Sequence, residues 1–269
     1  MSAAVWLVPG AAACGLPAGY VAARVAGLFP RQRPPSPGAA AGGDPPSEPD
    51  PGTAPAYQAI SPQERAISSP EHDGDGPGPL PPGRQAGAAV ATAVLYALLA
   101  WRIGENAALL AYLPLFALLV SVTLIDVAHR IVPRVLVYSG LAVTGAMLVV
   151  AAVIDGHYAR IEDAAIGGAA SFVFFLVVHL VSPRGMGFGD VRLSGLLGAS
   201  LGWMGLSVVY AGMFVAFFTG AAVGLVLMVA FGANRKTAIP FAPYLAFGCV
   251  VGVLFGHALV GGWDRLLRP

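Results

Sequence analysis

Apolar residues fall along this chain in long unbroken runs, not at alternate positions. The runs are Val5–Phe29, about Gln85–Trp101, Ala107–Ile125, Val135–Ile154, Ala164–Val181, Val191–Trp203, Leu206–Gly232 and Phe241–Val260. Most reach the roughly 20 residues that a membrane-crossing helix needs. The pattern therefore predicts an all-α, polytopic integral membrane helical bundle of about eight transmembrane helices. One run, Val191–Trp203, is short, and its path decides the topology. If it crosses, with Gly202-Trp203-Met204-Gly205 as the far turn, the loops alternate cleanly. Arg31, Arg33, Arg65, Arg84, Arg130, Arg134, Arg184, Arg192, Arg235 and Lys236 then share one side, against Arg102, Arg160, Arg265 and Arg268 on the other. Basic residues concentrate on the cytosolic side, which puts the N-terminus outside. The short segment is expected to cross, starting before Asp190 so that this acid is immersed by about a turn.

Between the first two runs the pattern breaks down. Residues 30–84 are rich in Pro, Gly and Ser and poor in large apolar side chains, too few to build a core. The chain thus divides into a first transmembrane helix (1–29), a disordered cytosolic Pro/Gly-rich loop (30–84) and a membrane-embedded core (85–269). The N-terminal run lacks a basic start and is read as a retained helix, not a cleaved signal. Its Gly15-x-x-x-Gly19 spacing would let another helix approach closely.

Composition agrees with the runs. Hydrophobic residues make up 57% and charged residues 11%, where a soluble domain carries about 25% charged. A net charge of +1 gives no reason to expect nucleic acid; membrane lipid is the expected surrounding. Cys14 and Cys249 each sit inside an apolar run, and with no Cys-x-x-Cys pair or His ligand spacing no metal site is expected. His179, within a span, reads as a hydrogen-bonded packing residue.

Charge becomes informative once it is placed on the topology. Asp126 follows the run Ala107–Ile125 directly, and Asp190 ends the glycine-rich turn Gly185-Met186-Gly187-Phe188-Gly189. A charge at membrane depth costs about 2.5–3.5 kcal/mol on insertion scales, so such acids are functional candidates. Asp155, Glu162 and Asp163 are expected in an outer loop, and Glu105 and Asp264 at outer helix ends. The pair Asp126 and Asp190 shares the cytosolic side. Two carboxyls in one site hold a proton between them, a state suited to peptide hydrolysis: one takes a proton from water while the other polarises the scissile carbonyl. Gly185, Gly187 and Gly189 permit positive φ and close backbone approach. This proposal requires the third and sixth helices to lie side by side. From the residues alone, a proton-coupled membrane transporter and a non-catalytic membrane assembly subunit remain open alternatives.

Three stretches carry a family resemblance. Ile125-Asp126-Val127-Ala128-His129-Arg130-Ile131-Val132-Pro133, Gly187-Phe188-Gly189-Asp190-Val191-Arg192-Leu193 and Ile239-Pro240-Phe241-Ala242-Pro243-Tyr244-Leu245-Ala246-Phe247-Gly248 resemble, in order and spacing, the type IV prepilin peptidase (prepilin leader peptidase) family of GxGD membrane aspartyl proteases. The resemblance implies Asp126 and Asp190 as catalytic acids, with Gly187, Gly189, Pro133, Pro240 and Pro243 as supporting motif positions. It implies a multi-pass enzyme of the bacterial inner (cytoplasmic) membrane that removes the short basic leader of type IV prepilins or pseudopilins at the cytosolic face. Proteolysis in this family needs no metal or cofactor. Many members also methylate the new N-terminus with S-adenosylmethionine, but no residue here is assigned to bind it. The chain departs from the family at several places. Arg192 stands where lysine is usual, Ala242 where glycine is common, and Arg134 where an acid or amide is frequent. Residues 30–84 lack the four cysteines of larger members, and Gly19–Arg24 keeps only a loose echo of their N-terminal pattern.

Overall fold

The computed structural model describes residues 4–28, 81–181, 186–231 and 240–267. The expectations placed on residues 30–80, and on Arg184, Gly185, Arg235, Lys236, Ile239 and Arg268, lie outside the described residues. Eight helices and no strand occur among those described: α1 (Ala4–Gly27), α2 (Pro82–Ile103), α3 (Leu109–His129), α4 (Arg134–Asp155), α5 (Ala159–Val181), α6 (Phe188–Gly202), α7 (Leu206–Phe231) and α8 (Ala242–Leu267). Six of them, α2 to α5, α7 and α8, are long and apolar enough to cross a membrane. The protein is a polytopic helical membrane bundle.

Helix ends depart from the apolar runs by a few residues. The second helix starts at Pro82, so 82–84 are helical and not loop; proline suits a first helical turn, where its missing N–H has no intrahelical partner. Glu162 and Asp163, expected in a loop, lie at the start of α5, where the positive helix end favours acids. Similarly, α3 continues past Ile125 to His129, which puts Asp126 inside the last turn.

Close approaches of small residues set the packing, as they do where lipid removes a hydrophobic driving force between helices. A Cβ on Gly15 would collide with the Ala93 backbone, and one on Gly19 with the backbone of Ala88 and Ala89. The Gly15-x-x-x-Gly19 face is thus the seam between α1 and α2. Between α5 and α6, Gly202 abuts Asp163 and Ala164, and Gly198 abuts Gly167 and Ser171. His179, near the other end of α5, bonds Met186 just before α6.

These pairings run antiparallel along nearly the whole of α5. The short α6, together with its entry turn, therefore runs alongside most of α5, although its 15 residues make only about 22 Å of helix and it is not among the six helices long and apolar enough to cross a membrane. Its start at Phe188 places Asp190 in the first turn.

The third and sixth helices do not pack directly side by side. Instead α4 and α8 each pack against both, so α3 and α6 face one another across the bundle centre. A single buried cluster including Tyr112, Leu115, Phe116 and Leu119 of α3 and Leu193, Leu196, Leu197 and Leu201 of α6 fills the space between them.

Candidate functional site

Asp126 occupies the last turn of α3 and is 4% exposed. The helix stops because Arg130 turns left-handed at φ 55°, its N–H bonding the Asp126 carbonyl at 2.7 Å. Pro133 then takes extended angles (φ −65°, ψ 127°) and opens α4. With no N–H and a fixed φ, it suits a position just outside a helix. The segment 130–133 is thereby a tight connector that holds Asp126 at one end of the bundle.

Asp190 is the third residue of α6 and is 6% exposed. Gly187 precedes the helix at φ −71°, ψ 146°, and Asp190 N–H closes the first turn on the Gly187 carbonyl at 3.1 Å. Neither Gly187 nor Gly189 adopts positive φ; among the described glycines only Gly104, Gly156 and Gly205 do. The other expectation, close backbone approach, holds for Gly189. A Cβ there would lie 2.7 Å from Cβ of Val132 and 3.3 Å from its carbonyl O. The turn before Asp190 is pressed onto the connector after Asp126, which brings the two motifs together. Oδ1 of Asp190 is buried and has no hydrogen-bond partner among the described residues.

Two further side chains fix the turn. His179 Nδ1–H donates to the Met186 carbonyl at 2.8 Å, and its ring lies 5.6 Å from that of Phe188. His179 is thus the hydrogen-bonded packing residue expected from its place in the span. Arg192 spreads its guanidinium over Phe188 at 4.4 Å and Tyr138 at 5.9 Å, within cation–π range of both rings.

The third motif supplies a contact that residue types alone did not announce. The backbone N–H of Ala242 donates to Oδ2 of Asp126 at 3.1 Å. Local sequence explains why this donor is free. Helix α8 begins at Ala242, and first-turn N–H groups have no intrahelical acceptor. Pro243 has no N–H, while those of Tyr244 and Leu245 turn back to the Phe241 carbonyl at 3.0 and 3.2 Å. Phe241 packs against Phe175 of α5 and Tyr244, which anchors the helix start. The prolines bracketing Ala242 were the available signal. Tyr138, the second platform under Arg192, left none.

Residues 113–229 match the type IV leader peptidase family, a stretch that holds both aspartate motifs but stops short of Pro240 and Pro243. The chain is also similar to curated proteins named prepilin leader peptidase/N-methyltransferase. It is 31% identical to that of Pseudomonas putida over 183 residues, covering 66% of this chain and 61% of the relative. To that of Pseudomonas aeruginosa it is 33% identical over 175 residues, covering 63% and 58%. The Bacillus subtilis relative is 27% identical over 180 residues, covering 66% and 69%. The chain thus spans about three fifths of the length of the two Pseudomonas relatives. No solved structure matches. The family resemblance read from the motifs is borne out, and the carrier and assembly-subunit readings gain no support.

Proposed function

Taking the chain as a relative of the type IV leader peptidases, we propose that it is a membrane aspartyl endopeptidase whose catalytic acids are Asp126 and Asp190. The observation that carries the reading is their convergence. Two carboxyls from different helices are buried at the same end of the bundle, with the turn before one pressed onto the connector after the other at Gly189 and Val132. Each acid alone would carry a desolvation cost, and a shared catalytic role accounts for that cost being borne twice at one place.

The dyad holds one proton. Its ionised carboxylate takes a proton from a water whose oxygen bonds to the scissile carbonyl carbon, while the protonated member donates to the carbonyl oxygen. Collapse of the resulting diol breaks the C–N bond as a carboxyl returns a proton to the leaving amine. The Ala242 N–H holds one oxygen of Asp126, which fixes the direction of the other. Gly187 leaves the backbone bare next to Asp190, so that an extended substrate strand can lie against it, while Gly189 is taken up by its contact with Val132.

The relatives' name supports a prepilin as substrate; the motif resemblance extends the proposal to pseudopilins, to a short basic leader and to cleavage at the cytosolic face of the bacterial inner membrane. Methyl transfer has weaker ground. S-adenosylmethionine would supply the methyl group, and the groove beside α5 does not suit its amino-acid end. The groove of about 600 Å³ between α5, α7 and α8 is lined by Phe174, Tyr210, Phe214 and Phe217 among other apolar or neutral residues, with no charge to hold an amino acid. Co-expressing the chain with a prepilin-like protein and sequencing the product N-termini tests the reading. Leader removal that depends on this chain is the expected result; an intact leader overturns it.

A further inference from the structure

One buried side chain far from the aspartates ties together the two helices that carry them. Tyr112 of α3 is fully buried at 0% exposure. Its hydroxyl donates to the Ser200 carbonyl near the far end of α6 at 2.6 Å. That carbonyl needs a partner from outside its helix. Met204, whose N–H would bond it if α6 continued, turns to Leu201 O at 2.9 Å instead. A buried last-turn carbonyl left alone is costly, so the Tyr112 hydroxyl completes the end of α6. Phe116 sets the phenol ring, with centroids 6.5 Å apart and planes at 68°.

Three features turn this bond into more than a cap. First, α3 and α6 are not packed neighbours, so Tyr112 is a direct polar tie between them. Second, Pro114 lies just inside Tyr112 and cannot bond the Leu110 carbonyl, which makes α3 bendable there. Third, Tyr112 and Asp126 fall on one face of α3, as positions two, three or four turns apart do.

We infer that Tyr112 is a positioning residue for the aspartate pair: through the Ser200 carbonyl it sets the angle between α3 and α6, and with it the separation of Asp126 and Asp190. The arrangement is a frame closed at both ends. Tyr112 stands about 21 Å from Asp126 along α3, and Ser200 about 15 Å from Asp190 along α6. At the aspartate end the frame is closed by Gly189 on Val132; at the other end it is closed by this hydrogen bond. Opening the far corner lets α6 tilt, and a misplacement of about 1 Å at reacting groups can cost about 100-fold in rate.

This role rests on the endopeptidase reading, so the test includes a measurement that needs no cleavage. Spin labels are placed at Val127→Cys and Phe188→Cys, which are 62% and 39% exposed, in a Cys14→Ala, Cys249→Ala background. Their distance distribution is read in the full chain by electron paramagnetic resonance, with and without Tyr112→Phe. A narrow distribution that broadens on loss of the hydroxyl is expected, with kcat on a prepilin-like substrate falling by up to about 100-fold. KM should stay the same, and the pH limits of kcat should move because the spacing of the carboxyls has changed. Leu148→Ala, a buried loss on α4, is the control and should leave distribution and pH limits native. An unchanged distribution in Tyr112→Phe, or equal broadening in Leu148→Ala, overturns the inference. If Tyr112→Phe broadens the distance while the native chain cleaves nothing, the frame stands and the endopeptidase reading falls.

Discussion

The backbone N–H of Ala242 reaches Oδ2 of Asp126 at 3.1 Å, so the first turn of α8 orients an acid carried by α3. A side-chain donor could be lost by almost any substitution, but this one is removed only by proline. Ala242→Pro tests it, since proline is tolerated at a first helical position, with the added bulk of the ring at a buried site as the one collateral change. Hydrogen bonds to charged groups contribute about 1.5–3 kcal/mol, which corresponds to roughly ten- to a hundredfold in rate. Leader cleavage by Ala242→Pro is expected to fall by that factor while the protein accumulates normally. Ala242→Gly keeps the donor and should cleave at close to the native rate. Cleavage assays on the two variants side by side check the point, and equal rates would show that the contact does not matter.

Gly189 is the second place where backbone chemistry decides. A methyl group there must displace Val132, and overpacking of this kind costs about 1–3 kcal/mol. Gly189→Ala is therefore expected to reduce cleavage and lower the unfolding temperature in detergent. Adding Val132→Ala should recover part of both. The double variant is the informative measurement, because loss of positive-φ freedom would not be rescued by a smaller neighbour.

What could be read from the chain and what could not divide along physical lines. The spans were legible because the bilayer demands long apolar runs, and Asp126 and Asp190 stood out as charges at the ends of such runs. Helix ends were misjudged where terminal turns are polar: Glu162 and Asp163 begin α5, and Gly83 and Arg84 lie in the first turn of α2. Such residues sit in the headgroup region, where helix and polarity coexist. The placement of α3 and α6 across the bundle centre follows from how α4 and α8 each pack against both of them, a matter of tertiary packing that no local pattern encodes. The Ala242 donor was hidden for a different reason. Every residue but proline has an N–H, so only Pro243 and the two N–H groups returned to Phe241 reveal which one is free.

Methyl transfer is the second activity in the name of the relatives, and the proposal for this chain does not include it. Mass spectrometry of the processed N-terminus is expected to show the bare amine. A product heavier by one methyl group, and only when S-adenosylmethionine is supplied, would show that the chain retains the second activity.

The central claim is that Asp126 and Asp190 act as one unit. Its most direct measurement is cleavage of a prepilin-like substrate by the purified full chain carrying Asp126→Asn, Asp190→Asn or both. Groups that act as a unit give grossly non-additive losses, so each single variant should abolish cleavage and the double should be no worse. Substantial cleavage by either single variant, or losses that multiply in the double, would contradict the account.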